Sequence, residues 1–327
     1  MLIVGGSVNT SELLIFEIVL LRRCGVNDRP LTPALPLVVL EAWRVLASMD
    51  HSTNSARANE DSRVDAYFSS LFSGLVVILT MMTFVWLLSL MKRDVSIVDI
   101  FWGLGFVVLN WFYRLLGSEA TSRHLLLLAL VTIWGFRLAL YLLWRNWGHE
   151  EDPRYQAMRQ YRGNNFWWMS LFTIFFLQGV LIWIIATPLF VIQLSAGPPL
   201  WTWTDVLGLL FWGIGFFFET VGDLQLARFK ADPANRGRVM RTGLWAYTRH
   251  PNYFGDAMVW WGYFLLALAV PDSLWTIVSP VLMTVLLLKV SGVALLEQTI
   301  TERRPEYRDY IKNTNAFLPW FPRQSLS

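Results

Sequence analysis

TGLWAYTRHPNYFGDAMVWWGYFLLALAV (residues 242–270) places a charged loop directly before an apolar run of membrane-helix length. Arg249, His250 and Asp256 lie at the start of that run. Pro251 between them suits the first turn of a helix, where its missing N–H is not needed. Charge at the end of an apolar helix requires water, an ionic partner or a ligand. The stretch therefore predicts a membrane helix whose first turns border a polar site.

The whole chain is too apolar for one water-soluble domain. Of its 327 residues, 55% are hydrophobic and 16% are charged, and the mean hydropathy is +0.43. Since a bilayer core about 30 Å thick takes roughly 20 apolar residues per helix, we predict an all-α, polytopic membrane helix bundle of about seven transmembrane helices. The predicted spans are 68–91, 95–116, 124–144, 166–194, 204–222, 253–270 and 274–296.

Lys and Arg gather in alternate loops. They follow the first, third, fifth and seventh spans, whereas loops 117–123, 195–203 and 271–273 carry almost none. Because cytoplasmic loops retain positive charge, we predict the N-terminus outside and the C-terminus in the cytoplasm. The formal net charge of +3 then reflects topology and attraction to membrane lipids, and nucleic acid is not an expected partner.

Residues 1–66 do not follow the pattern, because their apolar runs are too short to span a bilayer. We expect a poorly ordered N-terminal extension followed by a membrane domain over 67–322, with the cofactor-binding half at 204–322. The single cysteine, Cys24, cannot form an internal disulfide, and no Cys/His spacing predicts a metal site.

Several polar side chains lie inside the predicted spans, where a charge costs about 2.5–3.5 kcal/mol. They are Asp99, Asn110, Arg114, Arg137, Gln178, Glu219, Asp223, Asp256 and Lys289. Glu219 and Asp223 share one helix face, and Asn252, Asp256, Trp260 and Tyr263 form a stripe on another. Taken singly, each carboxylate is explained as well by a structural pair with a loop arginine; taken together, they favour a polar ligand site.

The segment GLWAYTRHPNYFGD resembles the GWW…RHPNY.GD segment of membrane sterol reductases, and NYFGDAMVWWGY resembles a segment of steroid 5-alpha-reductases. SIVDIFWGLGF, RNWGHEEDPRYQAMR and RRPEYRDYIKNTNAFLPWFP are similar to the bacterial DUF1295 branch of that superfamily. The resemblance implies NADPH as cofactor, a lipophilic substrate and a bacterial inner-membrane location. Its implied cofactor contacts are Asp223, Arg241, Arg249, His250, Asn252, Tyr253, Asp256, Trp260, Tyr263 and Tyr310.

The implied reaction is reduction of a C=C bond in a lipid or steroid-like enone, with hydride from NADPH. The chain lacks the adjacent Gln-Glu pair of steroid 5-alpha-reductases, so a steroid is not the expected substrate. By depth in the predicted spans, the candidate catalytic proton donors are Asp99, Tyr113 and Tyr141, with Arg137 as a further polar group at that depth.

The same Arg-His-Pro loop is similar to that of isoprenylcysteine carboxyl methyltransferases, which bind S-adenosylmethionine. Under that alternative Glu297, in LLEQTITERRPEYRDY, would lie near the bound methyl donor. The acidic Asp256 after the glycine is typical of the reductases, which we therefore favour. A transporter or scaffold fits less well, because the charges cluster on one side and do not follow a path across the membrane.

Overall fold

The computed structural model describes residues 34–117, 120–195, 197–198, 200–290, 297 and 306–322. The chain separates into two compact units, Met1–Ala66 and Tyr67–Ser327. Every regular element in the described part is helical, which confirms the all-α prediction. Cys24 and the end of the seventh predicted span, 291–296, lie outside the described residues.

The helices follow one another with short connections, and we number them along the chain. They are α1 (Ala34–Lys92), α2 (Ile97–Leu116), α3 (Ser122–Asn146), α4 (Pro153–Arg162), α5 (Phe166–Ser170), α6 (Leu177–Ile185), α7 (Thr187–Leu194), α8 (Trp203–Ala231), α9 (Pro251–Ala267), α10 (Val278–Val285) and α11 (Tyr307–Asn313). A π-helical turn, Leu171–Phe176, joins α5 to α6, and a second, Leu286–Val290, follows α10.

Five helical segments are long and apolar enough to cross a membrane, and this identifies the chain as an integral membrane protein. They are Val64–Lys92, Ile97–Leu116, Ser122–Asn146, Pro153–Ile185 and Trp203–Ala231. The helix α9 has 17 residues, and Leu274–Lys289 is a further short apolar helix. The count of seven spans and the orientation of the termini therefore stay predictions.

The fourth predicted span, 166–194, is not one continuous helix. The chain enters it through the polar helix α4, passes the π turn and breaks at Ala186 before Pro188. Pro188 supplies no backbone N–H to the carbonyl four residues before it, so the helix is interrupted at Ala186 and α7 starts as a new helix. Hydropathy alone could not locate these interruptions, because the side chains on both sides of each are apolar.

Helices α8 and α9 are antiparallel and pack through glycines. Gly208 and Gly215 on α8 oppose Gly262 and Gly255 on α9, and Gly222 opposes the first turn of α9. A Cβ atom added to Gly255 would lie only 2.5 Å from the carbonyl oxygen of Gly215. Since no side chain separates the two backbones, the polar residues of α8 and α9 are brought together at the end where α9 begins.

Aromatic rings fill the centre of the bundle. Phe106 of α2 lies 4.4 Å from Trp260 of α9, and Trp134 of α3 lies 5.6 Å from Trp260 (ring centroids). Tyr263 packs edge-on against Trp260 one turn further along. All four side chains are fully buried, so this aromatic layer closes the space between α2, α3 and α9 on one side.

One side of the bundle carries the loops 93–96, 147–152 and 232–250, and we call it the basic side. There the segment 306–322 covers the loop before α9. Arg249 N–H donates to the Asn315 carbonyl at 2.9 Å, the Thr248 hydroxyl donates to the Phe317 carbonyl at 2.9 Å, and Trp320 N–H donates to Tyr247 at 2.9 Å. These bonds fix the loop that leads into the site.

Helices α3 and α8 are joined on the opposite side by a buried ion pair. Arg123 Nη2 lies 2.8 Å from Asp205 Oδ2, and both side chains are almost fully buried. Arg123 also donates to the carbonyls of Pro198 and Leu200. Each guanidinium nitrogen of Arg123 donates to a protein acceptor, which indicates a structural role.

Candidate functional site

A cluster of charged side chains lies between α3, α8 and α9 on the basic side of the aromatic layer. Arg137 of α3 pairs with Glu219 of α8, and its Nη1 lies 2.8 Å from Asp223 Oδ2. Trp134 Nε1–H donates to Glu219 Oε2 at 2.8 Å. Glu219 and Asp223 are one turn apart, so a single guanidinium between α3 and α8 reaches both carboxylates.

Helix α9 completes this cluster from its first two turns. Asn252 Nδ2 donates to Asp223 Oδ1 at 3.1 Å. Asp256 follows one turn later, within electrostatic range of Arg137 and Glu219. Pro251 at the first position of α9 starts the helix without losing a hydrogen bond, and this sets Asn252 and Asp256 at the level of Asp223.

The Asp256 carboxyl group is the incompletely bonded member of the cluster. Its Oδ1 atom makes no hydrogen bond of normal geometry among the described residues, and neither does Trp260 Nε1 on the next turn, although the two side chains lie close enough to interact. The Asp256 residue as a whole is partly accessible, although this oxygen itself is buried. A buried carboxylate oxygen without a partner can accept a hydrogen bond from a ligand hydroxyl or amide, or contact a cation.

The predicted stripe on α9 is thus only partly a ligand surface. Tyr263 receives a hydrogen bond from Trp212 Nε1 at 3.0 Å and is fully buried. Trp260 packs into the aromatic layer, whereas Asn252 and Asp256 reach the charged cluster. Helical spacing placed the four residues on one face, but their contacts differ because the face crosses from the cluster into the core.

Arg249, His250 and Glu297 form a second group, next to the first turn of α9. Arg249 Nε and Nη2 donate to the two oxygens of Glu297 at 2.7 and 3.0 Å, and His250 Nε2 lies 3.1 Å from Glu297 Oε1. Arg249 also donates to the carbonyls of Ile311 and Thr314. Its guanidinium is thereby occupied by protein acceptors.

The charge state of Glu297 follows from these contacts. Burial acts to raise the pKa of Glu297, but the hydrogen bonds from His250 and Arg249 outweigh it and hold that pKa below its ordinary value. The His250 ring in turn stacks on Tyr253 with centroids 5.4 Å apart and planes within 5°. Tyr253 is thereby placed between the two groups, one turn before Asp256.

Arg241 and Tyr310 lie in the contact between the loop and the covering segment. Arg241 lies over the Tyr310 ring, 5.8 Å from its centroid, and donates to the Glu306 carbonyl. The Tyr310 hydroxyl donates to the Trp245 carbonyl, and burial raises the pKa of Tyr310. The two residues hold the segment 306–322 on the loop and do not join the charged cluster.

The three candidate proton donors lie in different places. Asp99 is at the start of α2 and accepts a hydrogen bond from the Tyr155 hydroxyl at 2.8 Å. Tyr141 is at the basic end of α3, beneath Arg145 at 5.9 Å. The Tyr113 hydroxyl is buried beside Gly74 with no partner among the described residues, two helical turns beyond Phe106. They do not form one catalytic group.

Three residues in or near the cluster were not predicted from the sequence as catalytic or cofactor-binding residues. Arg137, expected only as a polar group at depth, is the partner of Glu219 and Asp223, where a loop arginine was the structural alternative. Trp134, a member of the aromatic layer, also donates to Glu219. The i, i+3 spacing of Trp134 and Arg137 on α3 was a usable signal, since both fall on one face. Tyr155 carried no such signal, because its partner Asp99 is far away in sequence.

Comparison with known proteins gives a family but no activity. The family described as "Protein of unknown function (DUF1295)" matches residues 85–314. An uncharacterized protein of Schizosaccharomyces pombe is 27% identical over 281 residues, which cover 75% of this chain and 78% of the relative. No solved structure matches the chain.

Proposed function

The chain belongs to the DUF1295 family, as its motifs predicted, and we propose that it is an NADPH-dependent membrane reductase acting on a C=C bond of a lipophilic enone. Asp256 carries this proposal. A buried carboxylate oxygen without a well-formed hydrogen bond costs free energy that apolar packing would not, so such an oxygen beside the polar groups of Asn252 and Asp223 supports a polar ligand there.

The residues present suit the nicotinamide riboside end of the cofactor. Asp223, Asn252 and Asp256 offer carboxylate and amide groups for ribose hydroxyls and the carboxamide. The aromatic layer of Phe106, Trp134 and Trp260 offers a dry wall that would exclude water from a ring placed on its basic side. When bound, NADPH supplies the hydride.

The phosphates belong at the basic side in this proposal. The first turn of α9 presents backbone N–H groups there, and Arg145 is an exposed cation above Tyr141. Arg249 was the expected phosphate contact, but its donors bind Glu297 and two carbonyls. We therefore assign Arg249 to holding the loop in shape.

For the proton, we assign Asp99 ahead of Tyr113 and Tyr141. Asp99 and Phe106 are seven residues apart on α2, so they share a face, and Phe106 contacts Trp260 on α9. Asp99 therefore lies on the same side of the aromatic layer as Asp256, with its carboxylate held by Tyr155 and Arg154. Tyr113 is on the far side of the aromatic layer.

A second function is favoured by one observation, the balance of charge. Within the described residues, Glu219 and Asp223 form ion pairs with a single guanidinium, that of Arg137, and Asp256 is within its electrostatic range. Such an excess of carboxyl groups suits a cation, and S-adenosylmethionine carries a sulfonium and an ammonium. A membrane methyltransferase is therefore the alternative.

Ligand binding separates the two. Full-length protein in nanodiscs is titrated with NADPH, whose fluorescence is followed, and with methyl-labelled S-adenosylmethionine, whose retention is counted. We expect NADPH to bind and Asp256→Asn to weaken it by about tenfold or more, as loss of a charge-assisted hydrogen bond does. Asp309→Asn is the matched control, because Asp309 is exposed and pairs only with Lys312 among the described residues. Retention of the methyl donor without NADPH binding would replace the first function by the second.

A further inference from the structure

A third polar group lies at the start of α2, on the basic side of the aromatic layer. The Tyr155 hydroxyl donates to Asp99 Oδ1 at 2.8 Å, and Gln178 Nε2 donates to the Tyr155 oxygen at 3.5 Å. We call Asp99, Tyr155 and Gln178 the Gln178 triad. Its members come from α2, α4 and α6, so only the folded bundle assembles it.

The other end of the Gln178 amide is left without a partner. Tyr155 has one hydroxyl hydrogen and gives it to Asp99, so toward Gln178 it can only accept. This fixes the amide with Nε2 toward Tyr155 and Oε1 away from it. Gln178 Oε1 is buried and has no hydrogen-bond partner among the described residues. The unused group is therefore an acceptor.

Gln178 faces protein and not lipid. It lies on the stripe of α6 that contains Ile182 and Ile185 and continues to Phe175, all of them buried. The π-helical turn Leu171–Phe176 comes immediately before α6. Such turns occur frequently at functional sites, where the extra residue rotates the following side chains.

Asp99 of the Gln178 triad and Asp256 lie on the same side of the aromatic layer. Helices α2 and α9 both run away from the basic side, and they meet where Phe106 contacts Trp260. With a rise of about 1.5 Å per residue, Asp99 lies about 10 Å and Asp256 about 6 Å on the basic side of that contact. Tyr253, one turn before Asp256, is within electrostatic range of Arg154, the neighbour of Tyr155.

We propose that the Gln178 triad binds the polar end of the substrate, and that this end carries an O–H or N–H group which donates to Gln178 Oε1. The inference rests on the proposed function, because it places the substrate across from the α9 residues that are assigned to the cofactor. It narrows the substrate class to lipophilic molecules with a hydrogen-bond donor, and a ketone lacking a hydroxyl or amide does not fit.

Gln193 shows that an unpaired amide oxygen is not sufficient. Gln193 Oε1 is also without a partner among the described residues. However, Gln193 is 1% exposed and its Nε2 donates to Asn110 at 2.8 Å inside the packed core. Gln178 is partly accessible, and this difference makes Gln193 a matched control.

The test uses a long-chain primary alcohol with a diazirine beside the hydroxyl-bearing carbon, together with its methyl ether. Full-length protein in phosphatidylcholine nanodiscs is photolabelled, and competition by the unlabelled alcohol and ether is measured at the peptide containing Gln178. We expect the alcohol to compete about tenfold better than the ether, the ratio that one hydrogen bond provides. Gln178→Leu should abolish this preference, and Gln193→Leu should keep it.

A second variant and a second measurement complete the test. Gln178→Met, of similar length, replaces the leucine variant if that protein does not fold, and NADPH binding is measured on every variant. If wild type shows no preference for the alcohol, or Gln178→Leu keeps it, the subsite is refuted while NADPH binding still supports the reductase. If NADPH fails to bind but the preference depends on Gln178, the reductase is refuted and the donor-selective lipid subsite stands.

Discussion

Replacing Arg137 by methionine tests the centre of the charged cluster. The Arg137 side chain is 15% exposed, and those of Glu219 and Asp223 are 4% and 7% exposed. Removing one partner of a buried ion pair costs about 3–5 kcal/mol, since the other charge stays buried without compensation. Because Arg137 serves two carboxylates, we expect Arg137→Met to lose about 4–5 kcal/mol of unfolding free energy, the upper part of that range.

The assay is equilibrium unfolding of the purified protein in mixed micelles, followed by circular dichroism. The variant Arg137→Met with Glu219→Gln and Asp223→Asn added should recover most of the stability, because the triple change removes both carboxylates that pair with Arg137. Recovery of stability without recovery of NADPH binding would separate the structural role of the cluster from its proposed role toward the ligand.

Arg123→Met is the control, since the Arg123–Asp205 pair is equally buried but lies on the opposite side of the bundle. It should lose a similar stability, yet the molecules that remain folded should bind NADPH as wild type does. If Arg137→Met unfolds at the same mole fraction of denaturing detergent as wild type, Arg137 does not neutralise the two carboxylates, and the description of the cluster is wrong.

Two further predictions concern the frame around the site. Gly255→Ala should lose about 1–3 kcal/mol of unfolding free energy, because its Cβ would lie 2.5 Å from the Gly215 carbonyl oxygen and force α8 and α9 apart. Its control is Gly213→Ala, whose Cβ meets nothing within 4 Å. This variant should gain about 1 kcal/mol of unfolding free energy in the same assay. Glu297→Gln should lower stability at neutral pH. Since the folded-state pKa of Glu297 is held below its ordinary value of 4.5, the difference from wild type should be full above that value and vanish as the pH falls through the lower pKa. Thermal melts of both proteins at a series of pH values measure this, and a difference that grows toward acid would contradict the contacts described for Glu297.

The candidate site was predictable in its composition and only partly in its arrangement. Glu219 with Asp223, and Asn252 with Asp256, follow from helical spacing, because residues four apart share a face in any α-helix. That Arg137 is the partner of Glu219 and Asp223 could not be predicted, because several loop arginines were as plausible as partners from the sequence alone. Arg249 looked like a ligand contact, but its partners Glu297, Ile311 and Thr314 come from regions whose position no local pattern reveals.

The sequence by itself determined that this is a membrane protein built of helices, because a bilayer leaves the backbone no water to bond with and each long apolar run must satisfy its own N–H and C=O groups. It also determined the family and the polar residues that membrane helices carry at a cost. Tertiary structure alone decided which of those residues meet. The glycine contacts between α8 and α9 bring Asp256 beside Glu219, and the packing of α4 and α6 on α2 joins Tyr155 and Gln178 to Asp99. Such contacts depend on how helices distant in sequence pack, and periodicity within one helix gives the face but not the neighbour.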